Sequence, residues 1–133
     1  MATPESGNAT YGISPTVGIL QSVTSHCYQT GVNLPQGAKI TALRVWYSSD
    51  NANSLSFVLV RNQLTTGAGE ALVQEFSTDS SSNRVAESFT VSGASATVNN
   101  NAYMYGFRVC FNAATGELFN GARLTYTYTT AGD

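Results

Sequence analysis

Charge is scarce in this chain. Asp, Glu, Lys and Arg make up 11% of its 133 residues, less than half the quarter usual in soluble domains. The six basic residues and eight acids leave a formal net charge of −2. The basic residues stand singly. A nucleic-acid binder needs a basic stripe to release counterions from the backbone, so no nucleic-acid partner is expected. Long apolar runs are missing as well. The longest, Phe57-Val58-Leu59-Val60, is far short of the roughly 18 residues that span a bilayer, and no membrane insertion is expected. The start, Met1-Ala2-Thr3-Pro4-Glu5, has neither the basic nor the apolar region of a signal peptide. Two readings follow: a cytoplasmic protein, or a mature chain whose leader is gone. The second is preferred, with an extracellular, virion-surface or cell-surface location.

Reactive side chains are equally few. There is one histidine, His26, and there are two cysteines, Cys27 and Cys110. Three such residues are too few for an ordinary zinc site, and their spacing excludes CxxC motifs. A Ser-His-Asp or Cys-His system would have to use His26. Its neighbour Cys27 points to the opposite face of a strand, and no serine lies in a GxSxG elbow. Glu70, Glu75 and Glu87 stand in strand-rich sequence, but their spacing makes no glycosidase pair. Asp50-Asn51-Ala52-Asn53 has the oxygens for calcium, yet the same residues make an ordinary turn, and the turn is preferred. Neither a cofactor, a metal nor an enzymatic activity is expected. For Cys27 and Cys110 two readings stay open. They are either two small buried thiols or a disulfide closing a loop of roughly 80 residues, worth about 3–4 kcal/mol in the chain-entropy model.

What the chain does contain is strand and turn material. Ser, Thr, Asn and Gly together form roughly two-fifths of it, well above ordinary usage. Seven Tyr, six Phe and one Trp argue against disorder. Residues 38–48 alternate, with Leu43, Val45 and Tyr47 on one face and Ala42, Arg44 and Trp46 on the other. Residues 54–61 follow after a short Asp/Asn turn and read as the second arm of a hairpin. Residues 22–32, 71–77 (Leu72 and Phe76 on one face) and 84–91 (Val85, Phe89 and Val91, interrupted by Glu87) are further strands. The period-2 signal is strongest in 102–111, through Tyr103, Tyr105, Phe107, Val109 and Phe111. A last strand spans 121–129. No segment keeps a helical period, and turn clusters recur about every ten residues. The pattern predicts an all-β, antiparallel, jelly-roll-like β-sandwich of about eight to ten strands. It is read as one domain over 1–133, with 1–10 a flexible arm or a peripheral strand.

Arginines sit inside the strands at Arg44, Arg61, Arg108 and Arg123. On an outer face each is either solvent-exposed or able to stack on aromatics and pair across an interface. Trp46 shares a face with Arg44. It is a sugar-stacking platform, an assembly contact or a buried residue under a second layer. Arg44, Trp46, Arg108 and Arg123 are therefore the binding or interface candidates.

Leu34-Pro35-Gln36-Gly37-Ala38-Lys39-Ile40, the turn at Asp50-Asn51, the Tyr-rich strand 103–111 and Asn120-Gly121-Ala122-Arg123-Leu124-Thr125-Tyr126 resemble uncharacterised β-sandwich domains of secreted bacterial proteins. The resemblance covers about residues 30–128 and implies no activity. The Tyr-rich strand is also faintly similar to that of trimeric C1q/TNF-type jelly rolls, which implies a trimeric habit. The function expected is that of a non-enzymatic structural subunit. It would assemble with copies of itself into a homo-oligomer, fibre, coat or capsid. The alternative is a module that binds carbohydrate or a cell surface.

Overall fold

A computed structural model describes residues 7–13, 20–21, 26–80, 83–112 and 117–128. Nine strands lie among them: β1 (Gly7–Ile13), β2 (Leu20–Gln21), β3 (His26–Val32), β4 (Lys39–Ser48), β5 (Leu55–Gln63), β6 (Gly69–Phe76), β7 (Val85–Thr90), β8 (Tyr103–Phe111) and β9 (Leu118–Tyr128). A single 3-10 turn at Ala94–Ala96 precedes β8. Residues 7–10 of the amino-terminal segment lie in β1; residues 1–6 are outside the described residues, as are 22–25 of the strand expected over 22–32.

The strands form two antiparallel sheets. One runs β1-β9-β4-β7, with β2 extending the β1 edge along β9, and the other runs β3-β8-β5-β6. Successive strands from β3 onward change sheet at every connection except β5–β6. This is the jelly-roll arrangement of a β-sandwich. The alternation read from the sequence explains the layering. Leu43, Val45 and Tyr47 of β4, Leu55, Phe57 and Leu59 of β5, Phe107 and Val109 of β8, and Leu124 of β9 are all buried between the sheets. Each such side chain contributes about 1.5–3 kcal/mol by leaving water. Phe57 is the hub, with its ring 5.5 Å from Tyr47, 6.3 Å from Phe89 and 6.2 Å from Phe119. All three neighbours belong to the opposite sheet.

Strands β4 and β5 do not form the hairpin expected. Each pairs only within its own sheet, and residues 49–54 arch from one layer to the other. Both strands bury their inward face completely, and an arch lets those faces meet across the core. The arch is held by polar groups. The hydroxyls of buried Ser49 and Ser54 form a triangle with the Asn51 carbonyl, 2.8 and 2.6 Å from its oxygen, in which one hydroxyl donates to the carbonyl and the other donates either to its partner or to the same oxygen. Asn53 takes the left-handed conformation (φ 64°) that Asn tolerates, and its N–H donates to the Ser77 carbonyl at 2.7 Å.

A second expectation fails at β6. Leu72 and Phe76 do not share a face: Val73 is buried in the core with Leu72 half-buried against it, and Phe76 is 46% exposed. Leu59 pairs with Val73 but Val60 pairs with Ala71, so Leu72 is an extra residue in the ladder. Such a bulge reverses the parity of everything beyond it. A bulge also explains why β9 begins at Leu118 rather than at Gly121. Trp46 pairs with Gly121 and Tyr47 with Phe119, which leaves Asn120 as the extra residue inside the strand. Asn-Gly reads locally as a turn, but within a strand Gly commonly marks a bulge.

The turn after β3 agrees with its sequence. Ala38 N–H donates to the Pro35 carbonyl at 3.2 Å, with Gly37 at φ 83°. That is a type II turn, whose third position needs a positive φ. Cys27 and Cys110 are direct partners in the β3–β8 ladder, with Cα atoms 4.1 Å apart, and they form a disulfide. The bond ties the edge strand β3 to β8.

Candidate functional site

The outward face of the β1-β9-β4-β7 sheet carries three of the four residues singled out from the sequence. Arg44 of β4 and Arg123 of β9 are direct ladder partners. In the same row, Gly12 lies on the far side of Arg123 and Ser88 on the far side of Arg44. Trp46 stands two residues along β4, between Gly121 and Ala86. Two small neighbours leave the indole room to lie along the sheet. It is half-buried, and both arginines are exposed. The guanidinium carbons of Arg44 and Arg123 lie 5.5 and 5.3 Å from the Trp46 ring centroid. Arg44 also donates to the Ser88 hydroxyl at 3.1 Å.

Like charges placed directly opposite in a ladder repel. Cation–π attraction to one indole offsets about 0.5–1 kcal/mol for each exposed guanidinium. Neither arginine pairs with a carboxylate among the described residues, where Arg61–Glu70 is the one ion pair. Lys39 belongs to the same face and went unremarked in the sequence. Its number has the parity of the buried set, but a register shift between Ile40 and Ala42 turns it outward, opposite Thr127.

Arg108 is not part of this cluster. It lies on the other sheet between Gln29 and Val58, and its Nε is buried without a hydrogen-bond partner among the described residues. Arg61 packs its guanidinium 3.9 Å from the Tyr103 ring centroid and donates to Glu70 at 2.6 Å. Desolvation pulls its pKa down, but the bond and charge of Glu70 outweigh that and leave it raised. His26 is exposed at the start of β3, its ring 4.8 Å from that of Tyr28.

Glu87, which interrupts the apolar face of β7, has a structural explanation. Its carboxylate accepts hydrogen bonds from the Tyr47 hydroxyl and from Thr78 N–H. The Tyr47 oxygen in turn accepts from Thr78 and Asp79 N–H at 3.2 and 3.1 Å. Burial, and then Glu87, push the Tyr47 pKa up.

At one end of the β3-β8-β5-β6 sheet the surface is apolar. Leu64 is 50% exposed and Met104 is 65% exposed. Both line a cleft of about 270 Å³ with Tyr103, Val32 and Asn100. A second cleft of about 330 Å³ adjoins it through Met104, over the opposed glycines Gly31 and Gly106.

No family model matches the sequence, and no curated protein matches it. Solved structures align with the chain at low identity. Eiger TNF from S. frugiperda aligns over 98% of this chain and 97% of its own, at 13% identity and a TM-score of 0.50. A chain of the infectious bursal disease virus Gx strain aligns over 94% of this chain at 9% identity and a TM-score of 0.47. This chain spans only 33% of the length of that viral chain.

Proposed function

We propose that this protein is a non-enzymatic structural subunit that associates with copies of itself, outside the cell or on the surface of a particle. The observation that carries the reading is the pair Leu64 and Met104, two large apolar side chains converging on one cleft rim. Exposed apolar clusters of this kind mark protein contacts. The low charge of the chain favours association in the same direction. A jelly-roll with few reactive groups, whose Glu70 and Glu87 serve Arg61 and Tyr47, supports a structural role over a catalytic one. The Cys27–Cys110 disulfide supports an oxidising compartment. Light scattering at micromolar concentration tests the reading. A mass that is a multiple of 14.0 kDa, falling to one chain in Met104→Glu with Leu64→Glu, is expected. A wild-type monomer that forms no filaments overturns it.

A second reading, a module for carbohydrate or a cell surface, is favoured by one observation: Trp46 flanked by Arg44 and Arg123 on an outward sheet face. A glycan array in which the protein binds and Trp46→Ala does not is the result expected of it.

A further inference from the structure

The described strands of the β1-β9-β4-β7 sheet contain one acid, Glu87, and its carboxylate is turned inward onto Tyr47 and Thr78. The outward face carries Lys39, Arg44 and Arg123, all exposed. Half of the chain's six basic residues thus share one face that holds no described carboxylate, in a protein whose net charge is negative. Lys39 stands five positions along β4 from Arg44. At about 3.3 Å per residue the cations extend over roughly 16 Å of strand. Around them the ladder rows present hydroxyl side chains: Ser88 beside Arg44, and Thr125 and Thr127 along β9. Such a face is cationic and rich in hydrogen-bonding groups, with one aromatic ring, Trp46, two residues beyond Arg44 on the side away from Lys39.

We propose that this face binds an acidic glycan, a sugar polymer carrying carboxylate or sulfate groups. Arg44 and Arg123 hold the anionic groups. A guanidinium offers a planar pair of donors that fits an oxyanion with two bonds, and stacking on Trp46 holds both forks in place before the ligand arrives. Lys39 extends the contact along the polymer, and the hydroxyls meet the sugar hydroxyls. Two other polyanions fit less well. An acidic peptide would want an apolar pocket for an anchoring side chain, and the face has none among its described residues. A single-stranded nucleic acid is held by stacking successive bases on several aromatic rings, and the described residues of this face offer one, Trp46. The proposal rests on the second reading above and names its ligand.

The test measures binding of the full chain to heparin oligosaccharides, hyaluronan oligosaccharides, neutral dextran and a single-stranded DNA oligomer. Both acidic glycans bind at about 50 mM salt and weaken as salt rises toward about 0.5 M, and dextran does not bind. Arg44→Gln and Arg123→Gln each weaken binding about tenfold, equivalent to about 1.4 kcal/mol. Lys39→Gln weakens it less. Arg108→Gln, on the other sheet, binds as the wild type does. Arg44→Gln and Arg123→Gln melt no lower than the wild type, because each removes an opposed like charge, so lost binding is not lost folding. DNA binding as strong as heparin binding overturns the proposal in favour of unselective attraction to polyanions. Acidic-glycan binding unchanged in the double arginine variant also overturns it. Salt-insensitive binding of dextran that only Trp46→Ala removes overturns it too, while leaving the second reading standing. Failure to bind every probe overturns both.

Discussion

The Tyr47 hydroxyl donates a hydrogen bond to the Glu87 carboxylate, joining neighbouring strands β4 and β7 at the point where the chain enters from β6. The same two side chains accept the amides of Thr78 and Asp79. A part-buried polar cluster therefore helps to hold the crossing between sheets. Removing the hydroxyl takes one of its two donors from the Glu87 carboxylate and the phenolic acceptor from the Asp79 amide. Tyr47→Phe should cost about 1–3 kcal/mol, measured as a fall in the urea midpoint at unchanged slope.

The same phenol makes stability depend on alkaline pH. Burial raises the Tyr47 pKa above its ordinary value of about 10 in the folded state. Above that pH the unfolded chain sheds the proton while the folded chain retains it. Folded stability is then full below about pH 10 and declines as pH rises through the folded value. Tyr126 is raised in the same direction, by burial and by Tyr128. Unfolding midpoints measured from pH 8 to 11 should fall in the wild type and fall less steeply in Tyr47→Phe, in which Tyr126 still contributes to the slope.

The Cys27–Cys110 bond links partners separated by 83 positions. Closing so long a loop limits the unfolded chain and is worth about 3–4 kcal/mol. The double variant Cys27→Ala with Cys110→Ala should lower the unfolding free energy by about that amount. Its circular dichroism should stay that of the native sheet, because β3 keeps six other paired positions with β8. Adding a reductant to the wild type should lower stability equally and leave the variant unaffected.

Most strands could be read from the sequence because their chemistry is local. Alternation along 38–48 and 102–111 sets which side chains face inward wherever the ladder is regular. Partners could not be read so easily. An Asp/Asn-rich link of six residues suits a hairpin and an arch alike, and the choice rests on two buried serines and on Ser77, more than twenty positions away. The same limit governs the candidate site. Arg44, Trp46 and Arg123 could each be placed on an outward face by parity. That the two arginines oppose each other depends on the β4–β9 register, which local sequence does not encode. Lys39 was hidden by a bulge, and Glu87 looked like a flaw in an apolar face because its partner comes from another strand.

Gly31 and Gly106 offer a sharper contrast than most glycines, because they are ladder partners in different surroundings. A Cβ on Gly106 would lie 3.2 Å from the Thr30 carbonyl oxygen, a backbone atom with little freedom to move. A Cβ on Gly31 meets nothing within 4 Å. Gly106→Ala should therefore cost about 1–3 kcal/mol through crowding, lowering the melting temperature by about 3–6 °C per kcal/mol. Gly31→Ala should melt within about 2 °C of the wild type.

The bulge in β6 makes the parity of the strand testable. If Leu72 is the extra residue opposite Leu59 and Val60, then Val73 faces the core and Phe76 faces water. A regular strand would give the reverse. The two arrangements put a charge in opposite environments. Val73→Asp would bury an unpaired carboxylate between the sheets, at a cost of several kcal/mol, enough to unfold a domain of ordinary stability. Phe76→Asp would place the same charge in water and change stability by about 0.5 kcal/mol or less. Soluble expression and thermal melts of the two variants separate the cases. A folded Val73→Asp beside an unfolded Phe76→Asp would remove the bulge and with it the observed pairing of β6.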